Sequence, residues 1–296
     1  MNTETHYIEQ YLAPIYTQSS TYPLQIGDDC AVIDAKDKIL TSVDSSVEEQ
    51  HFPKDLNPYY VAYRSIAVAI SDIYAMGGIP ESYLLSISHP QPSDIWFGEF
   101  SKGIEKVNQD YNLSLLGGDM VKGQLAITVT VFGKALENIC ERANAKLDDN
   151  IFLSGPLGFG KEGLEDYQKG NKDEPSQYLM PQLISNHIIE KLNPIMNAAI
   201  DVSDGLVKDL GRICSASGMG AEILLSNIPH NSDPYDLVAG DDYVLCFTSS
   251  SPIENIIDID QNIHHIGKIV EGNEVLVVDL EGRKLDFNED GWESFK

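Results

Sequence analysis

Apolar positions along the chain fall into two periods that predict its elements. Ala62, Ile66, Ala69, Ile73 and Met76 recur at helical spacing and predict a long helix over 58–76, stopped by Gly77-Gly78 and Pro80. A shorter helix is expected around 4–13, and another over 93–109 behind the cap-like Ser93. Strands are expected at Lys38–Val43, Ser82–Ser88 and Leu113–Leu116, with alternation over Leu125–Phe132 marking a further one. In the second half, strands are expected at 151–154 and near 221–225, 242–248, 263–269 and 274–279. Helices are expected near 161–169 and 176–192, and after Gly205, where Leu206, Leu210 and Ile213 keep helical spacing. Helices and strands mix without strict alternation, which points to an α+β fold. The polar, charged stretch from Lys134 to Asn150 divides the chain into an expected N-terminal domain, 1–136, and a C-terminal one, 137–296.

Charge changes this picture. The 296 residues carry 46 Asp plus Glu against 20 Lys plus Arg, a net charge of −26. Such a surface repels nucleic acid and anionic membrane, so neither is an expected partner. The chain starts Met-Asn-Thr-Glu-Thr without a leader pattern, and no apolar run approaches the ~20 residues of a membrane span. Cys30, Cys140, Cys214 and Cys246 are scattered without a C-x-x-C pair, which fits a reducing, cytoplasmic setting.

Most of these acids belong on a solvated face, so only position can single out functional ones. Several interrupt apolar or glycine-rich sequence: Asp28 and Asp29 after Gly27, Asp44 at a strand end, and Asp72 on the apolar stripe of the long helix. Asp119 follows Gly117-Gly118, Asp201 and Asp204 sit between an apolar run and a helix, and Asp241 and Asp242 follow Gly240. Asp72 shares its face with Val68, Ala69 and Met76. An ionised group out of water is expensive unless it is paired or metal-bound. With basic residues scarce, hard divalent cations are the natural partners, and Mg²⁺ usually takes one or two carboxylates plus substrate phosphates.

Two other patterns carry less. Gly155-Pro-Leu-Gly-Phe-Gly-Lys161 nearly matches a phosphate loop, but the eighth position is Glu162, which cannot supply the hydroxyl for Mg²⁺. The overlapping Gly158-Phe-Gly160-Lys-Glu-Gly163 lacks the acidic strand end of a dinucleotide site, so the segment reads as a strand-to-helix loop. The seven histidines show no metal-ligand spacing, and no nucleophile elbow is present.

Taken together, Gly27-Asp28-Asp29-Cys30-Ala31, Val43-Asp44-(x6)-His51-Phe52, Ser71-Asp72-Ile73-(x2)-Met76-Gly77-Gly78, Gly117-Gly118-Asp119, Asp201-Val202-Ser203-Asp204-Gly205-Leu206 and Gly240-Asp241-Asp242-Tyr243 resemble, in order and spacing, the thiamine-monophosphate kinase family. That family belongs to the aminoimidazole-ribonucleotide synthetase, or PurM-like, superfamily. The resemblance implies two α+β domains, a homodimer pairing the N-terminal domains, and ATP near the subunit interface. It implies ATP-dependent phosphorylation of thiamine monophosphate to thiamine diphosphate, with several Mg²⁺ ions. Asp28, Ser42, Val43, Asp44, Asp72, Asp119, Asp201 and Asp204 are then the expected Mg²⁺ ligands, and Asp44, Asp72, Asp119 and Asp204 the acids at the reacting phosphates. Gly118, Asp119, Arg142 and Ser203 are the expected nucleotide contacts. His51, Asp241 and Trp292 are the expected contacts to thiamine monophosphate. Three motifs depart from the family pattern: Ser42-Val43-Asp44 replaces Thr-Thr-Asp, so any metal contact at Val43 must use its carbonyl. Arg142-Ala-Asn-Ala-Lys-Leu-Asp-Asp149 replaces Arg-Ser-Gly-Ala-Lys-Pro-Gly-Asp, and Asp241 replaces a glutamate. The rival readings are another superfamily enzyme, such as selenophosphate synthetase or the hydrogenase-maturation dehydratase, and a non-catalytic Mg²⁺-nucleotide-binding protein.

Overall fold

The computed structural model describes residues 31–33, 38–172, 174–231 and 233–287. The helix expected at 4–13, the Asp28-Asp29 turn and Trp292 lie outside the described residues. The fold is mixed α+β, as the element pattern predicts.

Two sheets carry the architecture. The first has the order β1-β2-β5-β3-β4, from β1 (Ala31–Ile33), β2 (Ile39–Val47), β3 (Ile79–Ser88), β4 (Ser114–Val121) and β5 (Ala126–Lys134). Only β3 and β4 run parallel. In β5, Ile127, Val129 and Val131 are fully buried while the alternate residues are half-buried, so one face of this sheet packs on the core. The second sheet has β12-β11-β8-β10-β6-β9-β7, from β6 (Asn150–Leu153), β7 (Ala199–Asp201), β8 (Gly220–Leu224), β9 (Leu245–Ser249), β10 (His264–Val270), β11 (Val275–Val278) and β12 (Lys284–Leu285).

Helix α1 (Pro58–Ala75) joins the two. Asn57 caps it, its side chain accepting from the Tyr59 N–H, and a run from Tyr60 to Ser71 is buried without a break. A helix buried on nearly every side needs cover all round. The first sheet, α2 (Asp94–Tyr111) and strands β7 and β9 of the second sheet supply it. Its tyrosine hydroxyls stay satisfied: Tyr63 donates to Asp110 at 2.9 Å and Tyr74 to Asn186 at 2.6 Å. One continuous core therefore runs from Leu40 and Ile127 through α1 to Phe152 and Phe247. A second core lies on the other face of the second sheet, under α5 (Leu206–Ser217), where Leu206, Leu210 and Ile213 are buried as their spacing predicts.

Two expectations change. Strand β2 does not end at Val43 but continues to Val47, because β5 goes on pairing with Asp44, Ser45 and Ser46 despite their low strand preference. The helix expected over 176–192 shrinks to α4 (Asn186–Leu192). Pro181 removes a donor in the middle of that span. Side chains take its amides instead: the Leu183 N–H donates to the Tyr111 hydroxyl and the Gln182 N–H to Gln177 Oε1. The Gly-rich segment is the expected strand-to-helix loop, leading from β6 into α3 (Phe159–Gln168). A last short helix, α6 (Ile253–Ile257), precedes β10.

Helices α1 and α2 cross at Gly103, where an added Cβ would lie 2.1 Å from the Tyr59 carbonyl oxygen and 2.9 Å from the Ala62 Cβ. Gly103→Ala is expected to push the helices apart and cost about 1–3 kcal/mol of unfolding free energy by chemical denaturation. An unchanged midpoint would show that the crossing has slack.

Candidate functional site

Five of the flagged acids, Asp44, Asp72, Asp201, Asp204 and Asp241, gather where the two sheets meet. A cleft of about 1040 Å³ is lined by Val43 and Asp44 of β2, by His51, and by Arg64, Val68 and Asp72 of α1. Asp201 at the end of β7, Ser203 and Asp204 of the β7–α5 turn, Asp241 and Tyr243 of the following turn, and Lys54, Lys161, Tyr178 and Arg212 line it too. Arg64, Val68 and Asp72 are spaced by four along α1, so one helical face looks into the cleft.

Neighbouring side chains on α1 tie the sheets together here. Ser42 Oγ of β2 donates to Asp72 Oδ2 at 2.5 Å, and Ser71 Oγ donates to the buried Asp201 Oδ2 of β7 at 2.8 Å. Asp72 is thus half-buried on a cleft-facing edge of α1, while Val68, Ala69 and Met76 are buried.

The turn after β7 is shaped from within α5. Asp209 is buried, and its Oδ2 accepts from the Ser203 and Asp204 N–H groups at 3.0 and 2.9 Å. Its Oδ1 pairs with Arg212 at 2.5 Å. Arg212 also grips Asp204, which Lys208 approaches at 3.1 Å. The next turn packs backbone to backbone on this one: Asp241 N–H donates to Ser203 O at 3.0 Å, and Tyr243 N–H to Val202 O at 2.8 Å. Gly240 has to be glycine, since a Cβ there would stand 2.3 Å from Ser203 O. Asp241 and Tyr243 take left-handed backbone angles, φ +69° and +52°.

The apparent phosphate loop is filled by a side chain. Asp242, fully buried, accepts from the Gly158 and Gly160 N–H groups at 2.8 and 3.0 Å, so the loop's amides serve a carboxylate of the chain itself. Lys161 turns to Asp236 and Asp233 at 3.3 and 3.7 Å. Burial pushes the Asp242 carboxyl up to about 7, against the pull of the two amides.

Of the expected site residues, Val43, Asp44, His51, Asp72, Asp201, Ser203, Asp204 and Asp241 therefore meet in one cleft, with Ser42 behind Asp72. Gly118, Asp119 and Arg142 do not line it. Strand register puts Asp44, Val129, Leu85 and Gly118 on one face of the first sheet, and Asp119 with Ser86 and Thr128 on the opposite face. Arg142 lies in a single 3₁₀ turn, Arg142–Asn144, against α5 and near enough to Arg212 for their charges to oppose. Among the described residues, no group of three or more His, Cys, Asp or Glu side chains is arranged to hold a metal ion. Sequence reasoning missed Arg64, Tyr178, Asp209 and Arg212, and met Lys161 only as the lysine of the near-match phosphate loop. Among the missed residues Arg64 alone left a trace, a basic residue on an apolar helix four and eight positions before Val68 and Asp72.

Residues 27–135 match the family described as AIR synthase related protein, N-terminal domain. A thiamine-monophosphate kinase of Buchnera aphidicola (subsp. Schizaphis graminum) is 36% identical over 304 residues, covering 91% of this chain and 92% of that protein. The chain belongs to the thiamine-monophosphate kinase family. The Escherichia coli K12 thiamine-monophosphate kinase is 32% identical over 305 residues, covering 96% of this chain and 93% of its own. Among solved structures, AaThiL complexed with AMPPCP and TMP superposes with a TM-score of 0.85 at 28% identity, covering 99% of this chain and 97% of that one. The two-sheet, α+β architecture is thus that of the thiamine-monophosphate kinases and their PurM-like relatives.

The Asp242 carboxyl titrates near 3.8 when unfolded and near 7 when folded. Between those values the folded chain holds a proton that the unfolded chain has lost, so this group's contribution falls as pH rises. Relative to Asp242→Asn, the wild type is expected to lose on the order of 2 kcal/mol of unfolding free energy between pH 5 and pH 8. A difference independent of pH would contradict the assigned shift.

Proposed function

We propose that this chain transfers the terminal phosphoryl group of ATP to thiamine monophosphate, giving thiamine diphosphate and ADP. The observation that carries the reading is the meeting of Asp44, Asp72, Asp201, Asp204 and Asp241 in one cleft of a chain from this family. The AaThiL complex, which carries AMPPCP and TMP, supports it.

The acceptor is a phosphate oxygen with a second pKa of about 6, already ionised at neutral pH. No general base is required, and the work of the site is to align two polyanions and offset charge on the transferring group. Of the basic residues that line the cleft, Arg64, Lys161 and Arg212 are paired with aspartates and the exposed Lys54 is not, among the described residues. A lining rich in carboxylate oxygens with most of its cations already engaged suits Mg²⁺. With no three acids converging among the described residues, each ion would take one or two carboxylates, the remaining ligands coming from phosphate oxygens and water. Asp44, Asp72, Asp201 and Asp204 would hold such ions, with Ser42 and the Val43 carbonyl beside them and Asp28 as a further ligand. Bound Mg²⁺ would supply charge neutralisation at the phosphates. Ser203 would meet the nucleotide and His51 and Asp241 the acceptor, with Trp292 available to stack on its cationic ring.

Residues 1–136 form the dimerising, nucleotide-binding domain in this reading, and 137–296 the domain that completes the site. Val43, Leu84 and Val121, which strand register puts on one face of the first sheet, are exposed large apolar side chains. A patch of this kind supports a homodimer paired through the N-terminal domains. Asp119 of strand β4 shares that face and Gly118 precedes it, in keeping with ATP near the subunit interface and with Asp119 acting there. Arg142 completes the nucleotide contacts. No described helix is long and apolar enough to cross a membrane. Cys140, Cys214 and Cys246 are free and buried, which agrees with a cytoplasmic location.

ADP release measured against a panel of phosphate monoesters is expected to require Mg²⁺ and thiamine monophosphate together. Asp44→Asn and Asp72→Asn are expected to lose about 100-fold or more in kcat with little change in thermal midpoint. Tight nucleotide binding without turnover on any acceptor would favour a non-catalytic binding protein. Turnover of a different acceptor would favour another superfamily activity.

A further inference from the structure

Arg64 has no role in the reading so far, yet it is the most committed cation in the cleft wall. Its side chain is 5% exposed, and it reaches across 177 positions of sequence to Asp241 Oδ1 at 2.5 Å. Its other nitrogen donates to the Tyr178 carbonyl at 2.6 Å, and its guanidinium lies 4.2 Å from the Tyr178 ring centroid and 5.9 Å from that of Tyr243. A buried guanidinium is costly unless its donors are used, so this placement has a compensating reason.

The geometry at Asp241 supplies that reason. The Tyr243 hydroxyl also donates to Oδ1, at 3.1 Å, so two donors hold the same carboxylate oxygen. Oδ2 accepts no hydrogen bond among the described residues, although the side chain is only 32% exposed and lines the cleft. Asp241 and Tyr243 both keep left-handed backbone angles, a conformation that persists where its surroundings over-determine it. The residue is shorter by one methylene than the glutamate usual in its family, so it depends more on being held in place.

We infer that Arg64 is a positioning residue: with Tyr243 it holds Oδ1 of Asp241 so that Oδ2 is presented to the cleft as acceptor for a cationic or N–H-donating group on the phosphate acceptor. Because Arg64 sits two turns before Asp72 on α1, the same helix that carries a phosphate-site acid also aims the acceptor's anchor. Arg64 offsets most of the charge on Asp241, so the anchor acts through direction more than through net attraction. A donor-bearing heterocycle such as the aminopyrimidine of thiamine fits this chemistry, and simple alkyl phosphates lack it. The inference rests on the proposed thiamine monophosphate kinase reading.

Steady-state kinetics of the full-length chain test it, using wild type, Arg64→Lys, Tyr243→Phe, Asp241→Asn and the Arg64→Lys/Asp241→Asn double variant. Arg64→Lys keeps the charge and loses the forked grip. It is expected to raise KM for thiamine monophosphate about tenfold, the size of one lost charge-assisted hydrogen bond. KM for ATP and kcat should stay within about twofold, as befits loss of an interaction equally present in ground and transition states. Tyr243→Phe, which removes only a hydroxyl, should move the same constant in the same direction, and it keeps the test open if Arg64→Lys fails to fold. In the Asp241→Asn background Arg64→Lys should add nothing further. An unchanged KM for thiamine monophosphate in Arg64→Lys or Tyr243→Phe, an equal rise in KM for ATP, or additive effects in the double variant would each overturn the inference. A wild type that turns over ATP with no thiamine monophosphate dependence would instead overturn the functional reading beneath it.

Discussion

Adjacent side chains on one helix set the geometry of this molecule. Ser71 and Asp72 look out of a largely apolar α1, one binding Asp201 at the end of β7 and the other bound by Ser42 of β2. Helix α1 is enclosed by both sheets, and at Ser71 and Asp72 its polar side chains find partners on opposite ones. The bonds therefore fix how far Asp44 and Ser42 on one side lie from Asp201, Ser203 and Asp204 on the other. The continuous core through α1 makes that spacing rigid, since a close-packed interior transmits displacement and does not absorb it.

The charges around the cleft follow from the same enclosure. Asp209 shapes the Ser203-Asp204 turn, Asp242 fills the Gly158–Gly160 loop, and Arg64 clamps Asp241, so many of the buried charges serve to hold other parts of the wall. Arg64, Lys161 and Arg212 are each engaged by acids of the chain. In a chain with a net charge of −26, positive charge from solution would offset that of two phosphate-bearing substrates, and divalent cations on oxygen donors are suited to supply it.

Much of this was legible along the sequence where a feature is local. Asp72 broke the apolar stripe of α1, the apolar run before Asp201 announced a short buried strand, and Leu206, Leu210 and Ile213 marked the helix after it. Features that depend on distant pairing were hidden. Strand β2 runs on through Asp44-Ser45-Ser46 only because β5 is beside it, and the expected helix from 176 gives way to a loop whose amides bind Tyr111 and Gln177. Asp242 could not be told from its neighbour Asp241 by spacing, yet one faces the Gly-rich loop and the other the cleft. Asp119 looked equivalent to Asp44 and Asp72, but strand alternation turns it to the opposite sheet face.

The central claim is that acids of both sheets meet in one cleft to carry divalent cations between two anionic reactants. Calorimetric titration of the non-hydrolysable ATP analogue AMPPCP into the chain, with and without Mg²⁺, tests it most directly. The account predicts binding that needs Mg²⁺ and weakens about 100-fold in Asp201→Asn, in proportion to a lost metal-coordinated phosphate contact. Equal affinity in the presence of a chelator, with Asp201→Asn binding as tightly as wild type, would contradict it.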